Sequence, residues 1–153
     1  MSSPPTQRQE WIAVLARADA ASLAAALPAP AALPAWRILR GPETGLVMLR
    51  GRAGGTGAPF NLGEMTVTRC TLRLDADRGG SLVGHATIPG RDARHAELAA
   101  LADALLQHPD WQATLSRALI APLAEAQAAA RAAIAARAAA TKVAFFTLQT
   151  MRG

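Results

Sequence analysis

Apolar positions along the chain change period twice, from helical spacing to strand alternation and back. From about residue 8 to 27, Trp11, Val14, Leu15, Ala18, Leu23 and Leu27 recur at the three-and-four spacing of one helix face. The pattern breaks near Asp19, and Asp19 or Ser22 can start a second short helix. Pro28, Pro30 and Pro34 then end helical structure and make residues 28–34 a proline- and alanine-rich linker. The middle third alternates: residues 36–40, 45–52, 65–74 and 81–88 read as strands, separated by turns at Gly41-Pro42, 54–63 and 75–80. In 65–74, Thr66, Thr68, Cys70, Leu72 and Leu74 share one face, while Met65, Val67, Arg69, Thr71 and Arg73 share the other. Close turns with no helix between them predict an antiparallel meander of four strands.

After Gly90 the helical period returns. Leu98, Leu101, Leu105 and Leu106 form a stripe that ends near His108-Pro109. A short helix over about 110–119 carries Trp111 and Leu115. Pro122 suits the first turn of a last helix reaching about residue 141. Residues 143–148, with Phe145 and Phe146, read as a terminal strand or docking segment. The expected fold is therefore α+β: an N-terminal helical segment, a four-stranded, largely antiparallel sheet, and C-terminal helices. One domain spans 1–153, with residues 1–6 a loose tail.

Composition changes this picture in one respect. About a quarter of the 153 residues are alanine, which favours helix but buries little area, so contacts should be close backbone approaches. The last helix has Leu123 and Ile134 as its large aliphatics, and it should lie tight against a neighbour or a partner chain. The net charge of +5 rests on arginine, with Lys142 the one lysine, a bias typical of a GC-rich bacterial genome. These arginines are scattered and not interleaved with aromatics, which disfavours nucleic acid. Their planar forks suit phosphate, carboxylate or an acidic partner surface. Cys70 alone excludes an internal disulfide and a multi-cysteine zinc site, and its alternating strand makes it a buried, inert thiol. The chain shows neither a signal peptide nor an apolar run of membrane-spanning length, so the expectation is a cytoplasmic protein with no membrane contact.

Two stretches carry candidate chemistry. In Gly90-Arg91-Asp92-Ala93-Arg94-His95-Ala96-Glu97, Asp92 can cap the following helix, whose unpaired amides and dipole attract anions beside Arg91 and Arg94. His95 falls in the first helical turn, a position suited to polar work rather than core filling, and it is the candidate for any catalytic role. The alternative is a capped helix with a solvated first turn. The spacing of Asp92 and His95 also allows metal ligation, but a cap beside a surface histidine explains it better, and no metal site is expected. The second stretch is Gly51–Gly57, where Gly54, Gly55 and Gly57 could turn backbone amides toward an anion, with Arg52 and Thr56 adding contacts. It lacks the spacing of either common nucleotide loop, and read in isolation a flexible hairpin turn explains it better. There is no nucleophile elbow and no paired acid–base carboxylates. His85 on a strand and His108 at a helix end meet His95 only if the fold brings them together.

These blocks, taken with others, resemble a family. Glu43-Thr44-Gly45-Leu46-Val47, Arg52-Ala53-Gly54-Gly55-Thr56-Gly57 and Gly63-Glu64-Met65-Thr66-Val67-Thr68-Arg69 are similar to PhnG of the bacterial carbon–phosphorus lyase system. So are Gly90-Arg91-Asp92 with His95-Ala96-Glu97 and Asp103-Ala104-Leu105, Arg8-Gln9 with Trp11, Leu119 to Leu123, and Val143 with Phe145-Phe146-Thr147. The resemblance runs from about residue 7 to 152. The departures are the linker around 28–34 and the alanine-heavy last helix, outside the matching blocks.

The resemblance implies a subunit of an assembly with PhnH, PhnI and PhnJ chains that degrades alkylphosphonates when phosphate is scarce. ATP and a phosphonate react there, adenine leaves, and α-D-ribose 1-methylphosphonate 5-triphosphate forms. The nucleosidase chemistry is attributed to the PhnI chain, with PhnG a required companion. A later subunit breaks the carbon–phosphorus bond with an iron–sulfur cluster and S-adenosylmethionine. A single cysteine cannot hold such a cluster, so no cofactor is expected on this chain alone. Two roles remain open. Arg52, Gly54, Gly55, Thr56, Gly57, Arg91, Asp92 and His95 help hold substrate at a shared site, or the chain is a scaffold without substrate contact.

Overall fold

The computed structural model describes residues 6–53, 56–76 and 80–141. Two short helices open the chain, α1 (Gln7–Leu15) and α2 (Ala20–Ala26). Thr6 starts α1 with a reciprocal cap: its hydroxyl accepts from the Gln9 amide, and the Gln9 side chain accepts from the Thr6 amide. Asp19 caps α2 at Ser22, at the expected break. A single 3-10 turn, Pro30–Ala32, leads into three strands: β1 (Trp36–Arg52), β2 (Pro59–Asp75) and β3 (Ser81–Pro89). Then come α3 (Ala93–Leu106), α4 (Pro109–Leu115), a π turn over Ser116–Ile120, and α5 (Ala121–Ala140). No helix among the described residues is long and apolar enough to cross a membrane.

The sheet is antiparallel in the order β1-β2-β3, with three strands where four were expected. The two expected strands at 36–40 and 45–52 are one. Gly41-Pro42, read as a turn, is a bulge inside β1. Gly41 takes φ +81°, and pairing passes from Arg40↔Thr71 to Glu43↔Arg69, one residue more on β1 than on β2. A bulge absorbs a glycine and a proline without ending the ladder when the partner strand runs on. The expected turn at 54–63 is also shorter, because β2 begins at Pro59. The expected terminal strand at 143–148 lies outside the described residues.

One sheet face is dry. Cys70, Leu72, Leu74, Ala86 and Ile88 lie against α3, which contributes Ala96, Ala100, Leu101 and Leu105. Trp11, Leu15 and Leu23 from α1 and α2, with Leu115 and Leu119, close the core. The opposite face carries Arg69 and His85 into solvent. Helix and sheet meet through small residues. A Cβ on Gly84 would overlap the Ala100 carbonyl oxygen and come within 2.9 Å of the Ala104 Cβ. The alanine-rich composition thus gives close backbone approach, as expected.

Candidate functional site

The turn between β3 and α3 is fixed from three directions. Gly90 has φ +86°, its amide donates to the Thr66 carbonyl at 2.9 Å, and its carbonyl accepts from Thr68 Oγ1 at 2.8 Å. Asp92 follows as the N-cap of α3, with Oδ1 accepting from the His95 amide at 2.8 Å. Arg91 and Arg94 stand exposed beside this helix start. Arg94 lies 3.7 Å from Glu97, a loose surface pair worth little. Next to it, Ala24, Leu27, Leu33, Trp36, Leu98 and Leu101 line an apolar hollow of about 120 Å³ with Arg94 and Glu97 among its walls.

His95 corrects an expectation. Its ring is buried, and Nε2 lies 2.9 Å from the Leu15 carbonyl oxygen. A carbonyl only accepts, so this nitrogen carries the proton and donates. The ring therefore ties the end of α1 to the first turn of α3. The signal was present in the sequence: His95 lies three residues before Leu98 and ten before Leu105, on the same helical stripe.

The glycine loop sits at the far end of the β1–β2 hairpin. Arg52 Nη1 donates to the Gly57 carbonyl at 3.0 Å, and the Gly57 amide donates to the Ala53 carbonyl at 3.0 Å. Thr56 is exposed, and Gly54 and Gly55 lie outside the described residues. Arg52 pairs with Pro59, whereas the Gly90 turn holds Thr66. The two candidate blocks are therefore roughly 20 Å apart at about 3.4 Å per residue. One chain does not bring them together.

The structure instead joins three residues to which spacing gave no chemistry. Asp103 is fully buried. Its Oδ1 accepts from Arg8 Nε at 3.1 Å and Trp11 Nε1 at 2.8 Å, and its Oδ2 from Arg8 Nη2 at 2.7 Å and the His85 amide at 2.9 Å. The hydrogen bond to Asp103 is the main reason that Arg8 holds its proton more tightly than a free arginine. Arg8 and Gln107 also donate to the Val83 carbonyl, so polar side chains cover the outer edge of β3.

Other polar candidates stay apart. His85 Nδ1 lies 3.1 Å from Thr71 Oγ1 on the solvent face, and buried His108 caps α4 by accepting from the Asp110 amide. No group of three or more His, Cys, Asp or Glu residues among those described is arranged to hold a metal. Cys70 is buried, and that burial, ahead of the nearby Glu97 charge, pushes its thiol pKa up.

The family profile described as "Phosphonate metabolism protein PhnG" matches residues 6–153. The chain belongs to the PhnG family. It is 44% identical over 142 residues to the alpha-D-ribose 1-methylphosphonate 5-triphosphate synthase subunit PhnG of Rhizobium meliloti (strain 1021), covering 93% of this chain and 88% of that protein. The PhnG-like block at Arg8 with Trp11 thus meets, about ninety residues on, the blocks at Gly90–His95 and at Asp103, which α3 itself carries. The first and last share a carboxylate, and the middle one is bonded to the end of α1.

Proposed function

We propose that this PhnG-family chain is a subunit of α-D-ribose 1-methylphosphonate 5-triphosphate synthase, acting in organic phosphonate catabolism. The observation that carries the reading is the 44% identity to a subunit of that synthase along nearly the whole chain. In this reading PhnI-, PhnH- and PhnJ-like chains are its companions in a cytoplasmic hetero-oligomer. ATP and an alkylphosphonate are the assembly's substrates, and the displacement of adenine belongs to the PhnI-like chain. An iron–sulfur cluster does not fit this chain's donors, because Cys70 is its one cysteine and is buried. The cluster and S-adenosylmethionine are assigned to a companion.

Within the assembly we assign the α3 start to the substrate's anionic groups. Arg91 and Arg94 present guanidinium forks to phosphate or phosphonate oxygens across a subunit interface. Asp92 and His95 act as positioning residues, the first by capping the turn and the second by fixing α3 against α1. The Arg52, Gly54, Gly55, Thr56, Gly57 block lies too far away to hold the same small anion in one chain, and we give it to protein contact. That separation also favours the second reading, a scaffold that never touches substrate.

One set of variants separates the two. In the reconstituted assembly, Arg91→Ala should raise the KM for ATP or phosphonate at least about tenfold while the subunits still co-migrate, as expected for a lost charge-assisted contact. His95→Gln, which keeps a donor for the Leu15 carbonyl, should retain most activity, whereas His95→Ala should lower the melting temperature. Unchanged triphosphate formation by Arg91→Ala and Arg94→Ala would establish the scaffold reading. Loss of activity by His95→Gln at unchanged stability would place that ring in the chemistry.

A further inference from the structure

β3 pairs with β2 only from Val67 to Asp75, but β1 and β2 continue together out to Arg52 and Pro59. Among the described residues the hairpin therefore ends in a two-stranded arm of roughly 20 Å with no third strand. Two-stranded ribbons are marginal in water on their own. Apolar side chains make this one more costly to leave bare. Leu46 is 58% exposed, Met48 50%, Leu49 40%, Phe60 47% and Leu62 62%.

The register decides how such an arm can be covered. Cross-strand partners share a face. Val47 with Met65, Leu49 with Gly63, and Gly51 with Phe60 lie on one side, and Leu46 with Thr66 and Met48 with Glu64 on the other. Both faces thus carry large apolar groups, so neither is a solvent face. Docking flat on a surface would cover one face only, whereas insertion into a groove covers both. The arm's ladder is also interrupted between Leu49 and Arg50 by an extra residue on β2. Such a bulge works against simple strand addition and favours burial through side chains.

Charge selects the occupant. Arg50 is exposed beside Arg52 near the tip, and Glu43 at the root already pairs with Arg40 at 2.8 Å, leaving Glu64 as the arm's other carboxylate. Two copies meeting arm to arm would bring their arginines together in chains that each carry +5. We infer that the arm inserts into a groove of another synthase subunit, one with apolar walls and carboxylates at the mouth that receive Arg50. This inference rests on the assignment of the chain to that assembly.

Leu46→Asp and Leu49→Asp, one on each face, test it in the full-length chain mixed with the companion subunits. Each should weaken association at least about 30-fold, as truncating an interface anchor does, while the melting temperature of the free chain stays the same. Arg50→Glu should weaken association about tenfold and flatten its dependence on salt. The double variant L46A/L49A, which adds no charge, should reproduce the loss.

Wild-type affinity in both aspartate variants overturns the inference, and so does an effect confined to one face. It also fails if the wild-type chain self-associates and Leu46→Asp abolishes that while companion binding is kept, since a second copy would then be the occupant. A wild-type chain that binds none of the companions sinks the synthase assignment itself, and the inference with it.

Discussion

A carboxylate with no solvent contact needs donors on both oxygens, and Asp103 has two on each: Arg8 and Trp11 on one, Arg8 and the His85 amide on the other. Asp103→Asn keeps the shape but turns one acceptor into a donor aimed at another donor. The expected loss is about 3 kcal/mol, within the range for breaking a buried charged pair, read as a lower denaturant midpoint at unchanged slope. Arg8→Ala should cost less, because its side chain is 38% exposed and the Trp11 and His85 donors remain. An equal cost for the two would mean that the carboxylate gains nothing from its other donors. At this scale the sequence was only partly legible. Strand alternation predicts a buried Cys70, and its thiol is buried. The polarity of His95 and its place in the first turn predict a surface role, but its position on the Leu98 stripe carries the ring into the core. Asp103 carried no local signal, since its donors come from residues about ninety positions away and from a strand amide.

Elements were more legible than their joints. Helical spacing marked α1, α2, α3 and α5, and capping chemistry placed the α1–α2 break at Asp19. Strand alternation found all three strands but cut β1 at Gly41-Pro42. A glycine and a proline usually end a strand, and only the run of partners along β2 shows that the ladder resumes beyond them. The same dependence on a distant partner makes Gly84 decisive. Nothing around it in sequence marks it as more than a small residue in a strand, yet the α3 backbone touches it. Gly84→Ala should therefore cost about 3 kcal/mol, because the obstacle is a helix carbonyl and not a side chain that can swing away. Chemical denaturation checks this. A cost under about 0.5 kcal/mol would mean that α3 and β3 slide apart freely, and the close-packed account of the core would be wrong.

Among the described residues the molecule has a well-filled centre and two bare extremities. The arm of β1 and β2 is one. The outer part of α5 is the other. Gln127 donates to the Val14 carbonyl at 2.9 Å and accepts from Arg17 at 3.1 Å, and every position from 128 to 140 is exposed. Alanine supplies helix propensity there without an apolar stripe to bury, so the helix holds its form without anchoring to its own core. A chain built this way gains stability from association by mass action, beyond what its own core supplies. With companion subunits at about a hundredfold over Kd, linkage adds about 2.7 kcal/mol to the folded state. For a domain of this size that raises the melting temperature by roughly 5–10 °C. Thermal unfolding followed against companion concentration should show that logarithmic rise. At the same companion concentration it should fall to about 1 kcal/mol or less for Leu49→Asp, whose free-chain melting temperature matches that of the wild type. A transition that ignores companion concentration would show that neither extremity is covered in an assembly, and that the bare arm is a stable feature of a free chain.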